Sequence, residues 1–293
     1  VGHFAERSKW HEHPAGSISR TADSVAPVVQ SVQQTLDDNN GGFTMPSLEG
    51  RVAIVTGSAR NIGRATARML AREGASVVIH ARQDKAGVDE AVRLFTAEGV
   101  TAIGHLADVS NEAGAQSLIG AAVDRFGRVD ILVNNAAIRR NTPIVEMSFA
   151  EWRDVMANSL DCAFLCTRYA VPHMIREGWG RIVHIGGISM FKGTAGRAHV
   201  SAAKAGMIGM ARSLASELGP NGITVNVVAP GAIDTVRSGA AGVRPSGSGA
   251  TANPVGRDGT PDEIAHIVTM LCRPEAAYTT GQTIEVNGGS HFI

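Results

Sequence analysis

Apolar positions along the chain alternate between two textures. Short continuous runs, such as Val52-Ala53-Ile54-Val55, are separated by longer stretches in which apolar residues return every three or four positions. Continuous runs of this length are what strands buried on both faces require, and the longer period marks helices with one apolar stripe. The pattern predicts strands over residues 52–56, 76–80, 101–105, 130–134, 181–185, 223–228 and 283–286. It predicts helices over residues 61–73, 86–97, 111–126, 149–176, 198–218 and 261–271. Glycines close several of them: Gly74, Gly99 and Gly127 stand where the helical period stops. Strict strand–helix alternation implies an α/β fold, doubly wound, with a seven-stranded parallel sheet flanked by helices.

Two stretches break the rhythm. Residues 236–253 are rich in Gly, Ser and Ala without a period, and they follow the carboxyl end of the sixth strand, where ligands bind in such sheets. They are read as a flap over a substrate. Residues 1–44 are polar, carry His3, His11 and His13, and lack the apolar core of a signal peptide. Met45-Pro46-Ser47 has the look of a second beginning, so residues 1–47 are read as a flexible extension before a domain spanning 48–293.

Composition narrows the function. Equal numbers of basic and acidic residues, 27 each, give no electrostatic footprint for nucleic acid or an anionic membrane. No run approaches the roughly 18 apolar residues of a membrane-spanning helix. Three cysteines, Cys162, Cys166 and Cys272, form no disulfide framework and point to a reducing, cytoplasmic setting. Cys162 and Cys166 are read as small apolar packing residues rather than a metal pair.

The clearest chemistry lies between the first strand and first helix, in Thr56-Gly57-Ser58-Ala59-Arg60-Asn61-Ile62-Gly63. A tight turn there lets backbone N–H groups approach a pyrophosphate at a helix N-terminus. Gly57 and Gly63 serve that need. Asn61 occupies the middle position that glycine usually takes, and asparagine tolerates left-handed backbone geometry. The second strand ends His80-Ala81-Arg82, with no carboxylate for a ribose 2′-hydroxyl. Arg82 and Arg60 suit a 2′-phosphate instead, so the expected cofactor is NADP(H).

With these motifs the chain resembles the short-chain dehydrogenase/reductase family, especially its 3-oxoacyl-carrier-protein reductases, over about residues 48–293. Asp108-Val109, Asn134-Asn135-Ala136-Ala137, Asn158, Lys204, Pro230-Gly231 through Thr235, and Gly281-Gln282 through Gly288-Gly289 carry the likeness. The resemblance implies a Rossmann domain in which Asp108 and Val109 contact adenine and Asn135 and Ala136 line the ribose. It implies that Lys204 holds the nicotinamide ribose, Ile233 meets the carboxamide through its backbone, and Asn158 holds a water in a proton relay. It also implies a homo-oligomer, dimer or tetramer, through the helices over 149–176 and 198–218.

Two positions depart from the family. Where a tyrosine precedes the lysine by four residues stands Val200, and where a serine precedes that tyrosine by thirteen stands Gly187. Substitute donors are sought nearby. His199 has a suitable pKa range but lies about 140° around the helix from Lys204, at about 100° per residue. Ser189 follows Gly187 by two residues, and Arg197, Arg139 and Arg140 could polarise a carbonyl or favour an anionic substrate. His184 reads as a core residue. The leading expectation is an NADP(H)-dependent oxidoreductase interconverting a small carbonyl and its alcohol with a non-standard proton donor. The alternatives are a nucleotide-binding protein without turnover, and a reductase of an imine-type substrate.

Overall fold

The structure, a computed structural model, describes residues 48–236 and 253–292. The proposed extension at 1–47 and the body of the proposed flap lie outside the described residues. Seven parallel strands form one sheet in the order β3-β2-β1-β4-β5-β6-β7. They are β1 (Val52–Val55), β2 (Ser76–Ala81), β3 (Ala102–Leu106), β4 (Ile131–Asn134), β5 (Gly180–Ile185), β6 (Ile223–Pro230) and β7 (Thr283–Val286). The order reverses between β1 and β4, which leaves a crevice at the carboxyl edge there. Every residue of β1, β4, β5 and β6 is buried, as the unbroken apolar runs predict.

The helices are α1 (Asn61–Arg72), α2 (Lys85–Ala97), α3 (Glu112–Phe126), α4 (Phe149–Met156), α5 (Cys162–Glu177), α6 (Ser189–Lys192), α7 (Ala198–Leu218) and α8 (Pro261–Cys272). They cover both faces of the sheet and bury one apolar cluster on each. Alanines and glycines on α1 and α7 permit close seating on the strands. The long helix expected over 149–176 is two helices joined by a π turn, Ala157–Asp161. No proline or glycine marks the widening, so periodicity alone runs straight through it. The four-residue α6 is also absent from the periodic pattern, being too short to display one. Among the described residues no helix is long and apolar enough to cross a membrane.

Candidate active site

A cleft of about 460 Å³ opens at the crevice between β1 and β4. Gly57, Arg60, Asn61, Ile62 and Gly63 form one wall, and Arg82, Asp108 and Val109 form the far end. Asn135, Ala136 and Asn158 line the opposite side, joined by Arg139 and Cys162. The glycine turn is built as its sequence requires. Asn61 has φ of 53° and is the one positive-φ residue other than glycine among those described. A Cβ on Gly63 would lie 2.6 Å from the Asn135 side-chain nitrogen and closer still to the Gly57 carbonyl, so only glycine fits.

Neighbouring strands pin this turn. Asn135 Nδ2 donates to the carbonyls of Thr56 at 2.8 Å and Gly57 at 3.0 Å. The backbone N–H groups of Asn135 and Ala136 donate to Thr56 Oγ1 at 3.0 and 2.9 Å. Gly57 N–H donates to His80 Nδ1 at 3.1 Å, while His80 Nε2 faces the Ala107 carbonyl at 3.0 Å. One ring nitrogen must accept and the other donate, so the imidazole is neutral with its proton on Nε2. Burial pushes the His80 pKa down to about 4, which keeps that tautomer over the ordinary pH range. Neither this role of His80 nor the pairing of Asn135 with the turn follows from the strand pattern; the polar His80 near the end of an otherwise apolar β2 is the available clue.

The cleft suits a dinucleotide. The N-terminus of α1 faces it, with Arg60 at the N-cap making no side-chain cap bond and no acidic residue in the first turn. Asp84 lies close to Arg82, but its carboxylate accepts the Gly87 N–H at 3.0 Å as the cap of α2. Asp108 accepts from the Ser110 backbone at 3.1 Å and hydroxyl at 2.6 Å. Both carboxylates near the end of β2 therefore have local partners, and Arg60 and Arg82 supply positive charge.

The remaining expected residues separate into groups. Asn158 sits in the π turn, where its Nδ2 donates to the Asp154 carbonyl and to Asp154 Oδ1, each at 3.0 Å. Single-turn π bulges recur at functional sites because they re-aim one side chain. Arg82 reaches across the cleft to Asn158 Oδ1 at 3.2 Å. Lys204 is buried, with Nζ donating to the Ile185 carbonyl at 2.6 Å. Burial, aided by the charge of Arg139, pulls its pKa down to about 8. Behind it His184, buried and receiving a 3.1 Å contact from Asn134 Nδ2, is pushed to about 3 by burial and by the Lys204 charge. Its Nε2 has no protein partner, so this core histidine is only half satisfied.

His199 and Ser189 are not among the residues that line this cleft, and neither are Lys204, Pro230, Gly231 and Ile233. His199 is buried in the first turn of α7, and its Nε2 lies 3.2 Å from Glu151 Oε1. Glu151 also accepts the Thr142 hydroxyl at 2.6 Å, so Glu151 ties the loop after β4 to α4 and its contact with His199 joins α7 to the same point. Ser189 opens α6, and its carbonyl accepts the Ser201 hydroxyl at 3.1 Å. Arg140 pairs with Asp154 at 2.7 Å. Pro230 ends β6 and receives the Ile188 N–H at 3.1 Å, while Gly231 N–H donates to Val286 at 2.9 Å. Ile233 forms a parallel bridge with Gly259. Val200 is 4% exposed. At Gly187 an added Cβ would meet nothing nearer than the Pro230 carbonyl oxygen at 4.0 Å, so there is room for a Cβ there.

A doubly wound parallel sheet with a glycine-turn cleft at its reversal point, and a buried lysine beside it, defines a nicotinamide-dependent oxidoreductase. The chain belongs to the short-chain dehydrogenase/reductase family and is an oxidoreductase acting on CH–OH and C=O groups. The family profile described as enoyl-(acyl carrier protein) reductase matches residues 57–291. The chain is similar to the 3-oxoacyl-(acyl-carrier-protein) reductase FabG of Vibrio cholerae, 40% identical over 247 residues, covering 84% of this chain and 100% of the relative. A 3-oxoacyl-(acyl-carrier-protein) reductase of Synechocystis is 40% identical over 246 residues, covering 84% of this chain and 98% of that protein. The hydroxy(phenyl)methylsuccinyl-CoA dehydrogenase subunit BbsD of Thauera aromatica is 40% identical over 245 residues, covering 83% and 97%.

Proposed function

We propose that the protein is an NADP(H)-dependent oxidoreductase that interconverts a 3-oxoacyl-type carbonyl and its alcohol, with a proton relay that lacks a phenol. NADP(H) supplies or accepts the hydride. Arg60 and Arg82 favour its 2′-phosphate over a bare ribose, and the N-terminus of α1 holds its pyrophosphate. Lys204 and Asn158 hold the relay, and Val200 and Gly187 contribute no hydroxyl to it. The supporting observation is Lys204, buried on α7 with Nζ donating to the Ile185 carbonyl at the end of β5; burial lowers its pKa to about 8, toward neutral pH. General acids work best near the operating pH. His199, engaged with Glu151, is assigned to joining α7 to that residue rather than to donating the proton.

The test is steady-state NADPH oxidation with 3-oxoacyl thioesters and simple ketones, beside calorimetric titration of NADPH and NADH. The wild-type protein should turn over a thioester and bind NADPH more tightly than NADH. Lys204→Ala should lower turnover by at least about tenfold, the scale of a lost proton relay, while His199→Ala should leave most of it. A second reading is nucleotide binding without turnover, favoured by Val200 filling the tyrosine position. Tight NADPH binding with no oxidation on any substrate would establish that reading and remove the first.

A further inference from the structure

Asn61 does more than tolerate a left-handed turn. Its side-chain amide pairs with the main chain of Val236 on both sides: Nδ2 donates to the Val236 carbonyl at 2.8 Å, and the Val236 N–H donates to Oδ1 at 3.0 Å. This is a two-bond, backbone-like pairing between residues 175 positions apart. It joins the phosphate-facing turn to the segment leaving β6. The base of that segment is already fastened, because Asp234 N–H donates to the Gly259 carbonyl at 2.8 Å and Gly259 N–H donates to Ala232 at 2.9 Å. Thr235 and Val236 line the same cleft as Gly57 and Gly63. A strap of residues 234–236, anchored at Gly259 and clasped at Asn61, therefore lines the cleft beside its glycine turn.

We propose that the Asn61–Val236 pair is a clasp that sets how long a dinucleotide stays in the cleft. The inference rests on the dinucleotide reading above. Glycine would satisfy a φ of 53° with less strain, since it alone lacks the Cβ penalty there. What asparagine adds at this position is an amide whose nitrogen donates and whose oxygen accepts, one bond from each running to Val236. The two bonds are solvent-exposed, so water can replace each of them and each carries only the modest net energy of such a bond. Asn61 is thus a positioning residue: it acts through the strap.

The discriminating measurement is NADPH release by stopped-flow fluorescence, chasing bound NADPH with excess NADP⁺. Asn61→Gly keeps the turn's backbone geometry and removes the clasp; release should accelerate by roughly tenfold, the scale of one to two net hydrogen bonds. Val236→Pro removes the N–H from the other side and should accelerate release in the same direction. The double variant should release NADPH no faster than the faster single variant, because the two changes break one device. Release within about twofold of wild type in Asn61→Gly, even with a lowered melting temperature of the unliganded protein, would make the pair structural only and overturn the clasp. Failure of the wild-type protein to bind NADPH would overturn the dinucleotide reading and the clasp with it. Binding with unchanged release would overturn the clasp alone.

Discussion

At the scale of single residues, the decisive positions are Gly187 and Val200. Hydride transfer to a carbonyl builds negative charge on oxygen, and a well-placed acid is typically worth about 10²–10⁴-fold. The open space at Gly187 accepts a serine without contact nearer than 4.0 Å to that first carbon. Tyrosine at position 200 would share the face of α7 that carries Lys204 one turn later, as residues four apart do. The double substitution Gly187→Ser/Val200→Tyr is therefore expected to raise 3-oxoacyl thioester reduction by at least about tenfold over wild type, read as kcat at saturating NADPH. An unchanged kcat would mean that the pocket has been rebuilt around valine and that the reaction does not wait on this proton. That Val200 and Gly187 stand at these spacings before Lys204 is legible in the sequence alone. The engagement of His199 with Glu151 is not, because position 151 lies on another helix and nothing local links the two.

At the scale of elements, strand ends and helix starts do most of the work. The sequence predicted every strand and all but one of the helices to within a few residues, since apolar runs and glycine stops are strong local signals. It joined α4 to α5, because a π turn adds a residue to the helix without changing composition, and that turn is where Asn158 sits. It also missed how β2 supports the glycine turn through His80. Replacing His80 with phenylalanine fills the same space but leaves the Gly57 N–H without its acceptor. An unpaired donor in this partly buried place costs on the order of 1 kcal/mol of the folded state, so the urea midpoint of His80→Phe should fall below that of wild type at pH 7. The sign with pH follows from the depressed pKa. Between about 4 in the folded protein and 6.5 in the unfolded chain, the unfolded state binds more protons. Stability from His80 is therefore present above pH 6.5 and declines as pH falls toward 4, and His80→Phe should flatten that part of the urea-midpoint curve.

For the molecule as a whole, the burial proposed to make Lys204 a proton donor is a liability to folding. The sheet and its two apolar clusters bury an ammonium whose single protein hydrogen bond to an oxygen runs to the Ile185 carbonyl. No carboxylate stands among the causes that shift it; Arg139 adds a like charge instead. Its pKa drops from 10.5 to about 8, so between those values the unfolded chain binds the extra proton. Stability therefore rises with pH across that window, and the penalty is fully present below about pH 8. Lys204→Met keeps much of the side-chain length and removes the charge. It should be more stable than wild type at pH 7 by on the order of 2 kcal/mol, and the advantage should shrink as pH rises from about 8 to 10.5. Urea unfolding of both proteins at several pH values measures this directly. A variant both inactive and more stable is what a site maintained against the preference of the core predicts. A Lys204→Met protein less stable than wild type at pH 7 would instead make the lysine part of the scaffold, with its bond to Ile185 outweighing the cost of its burial.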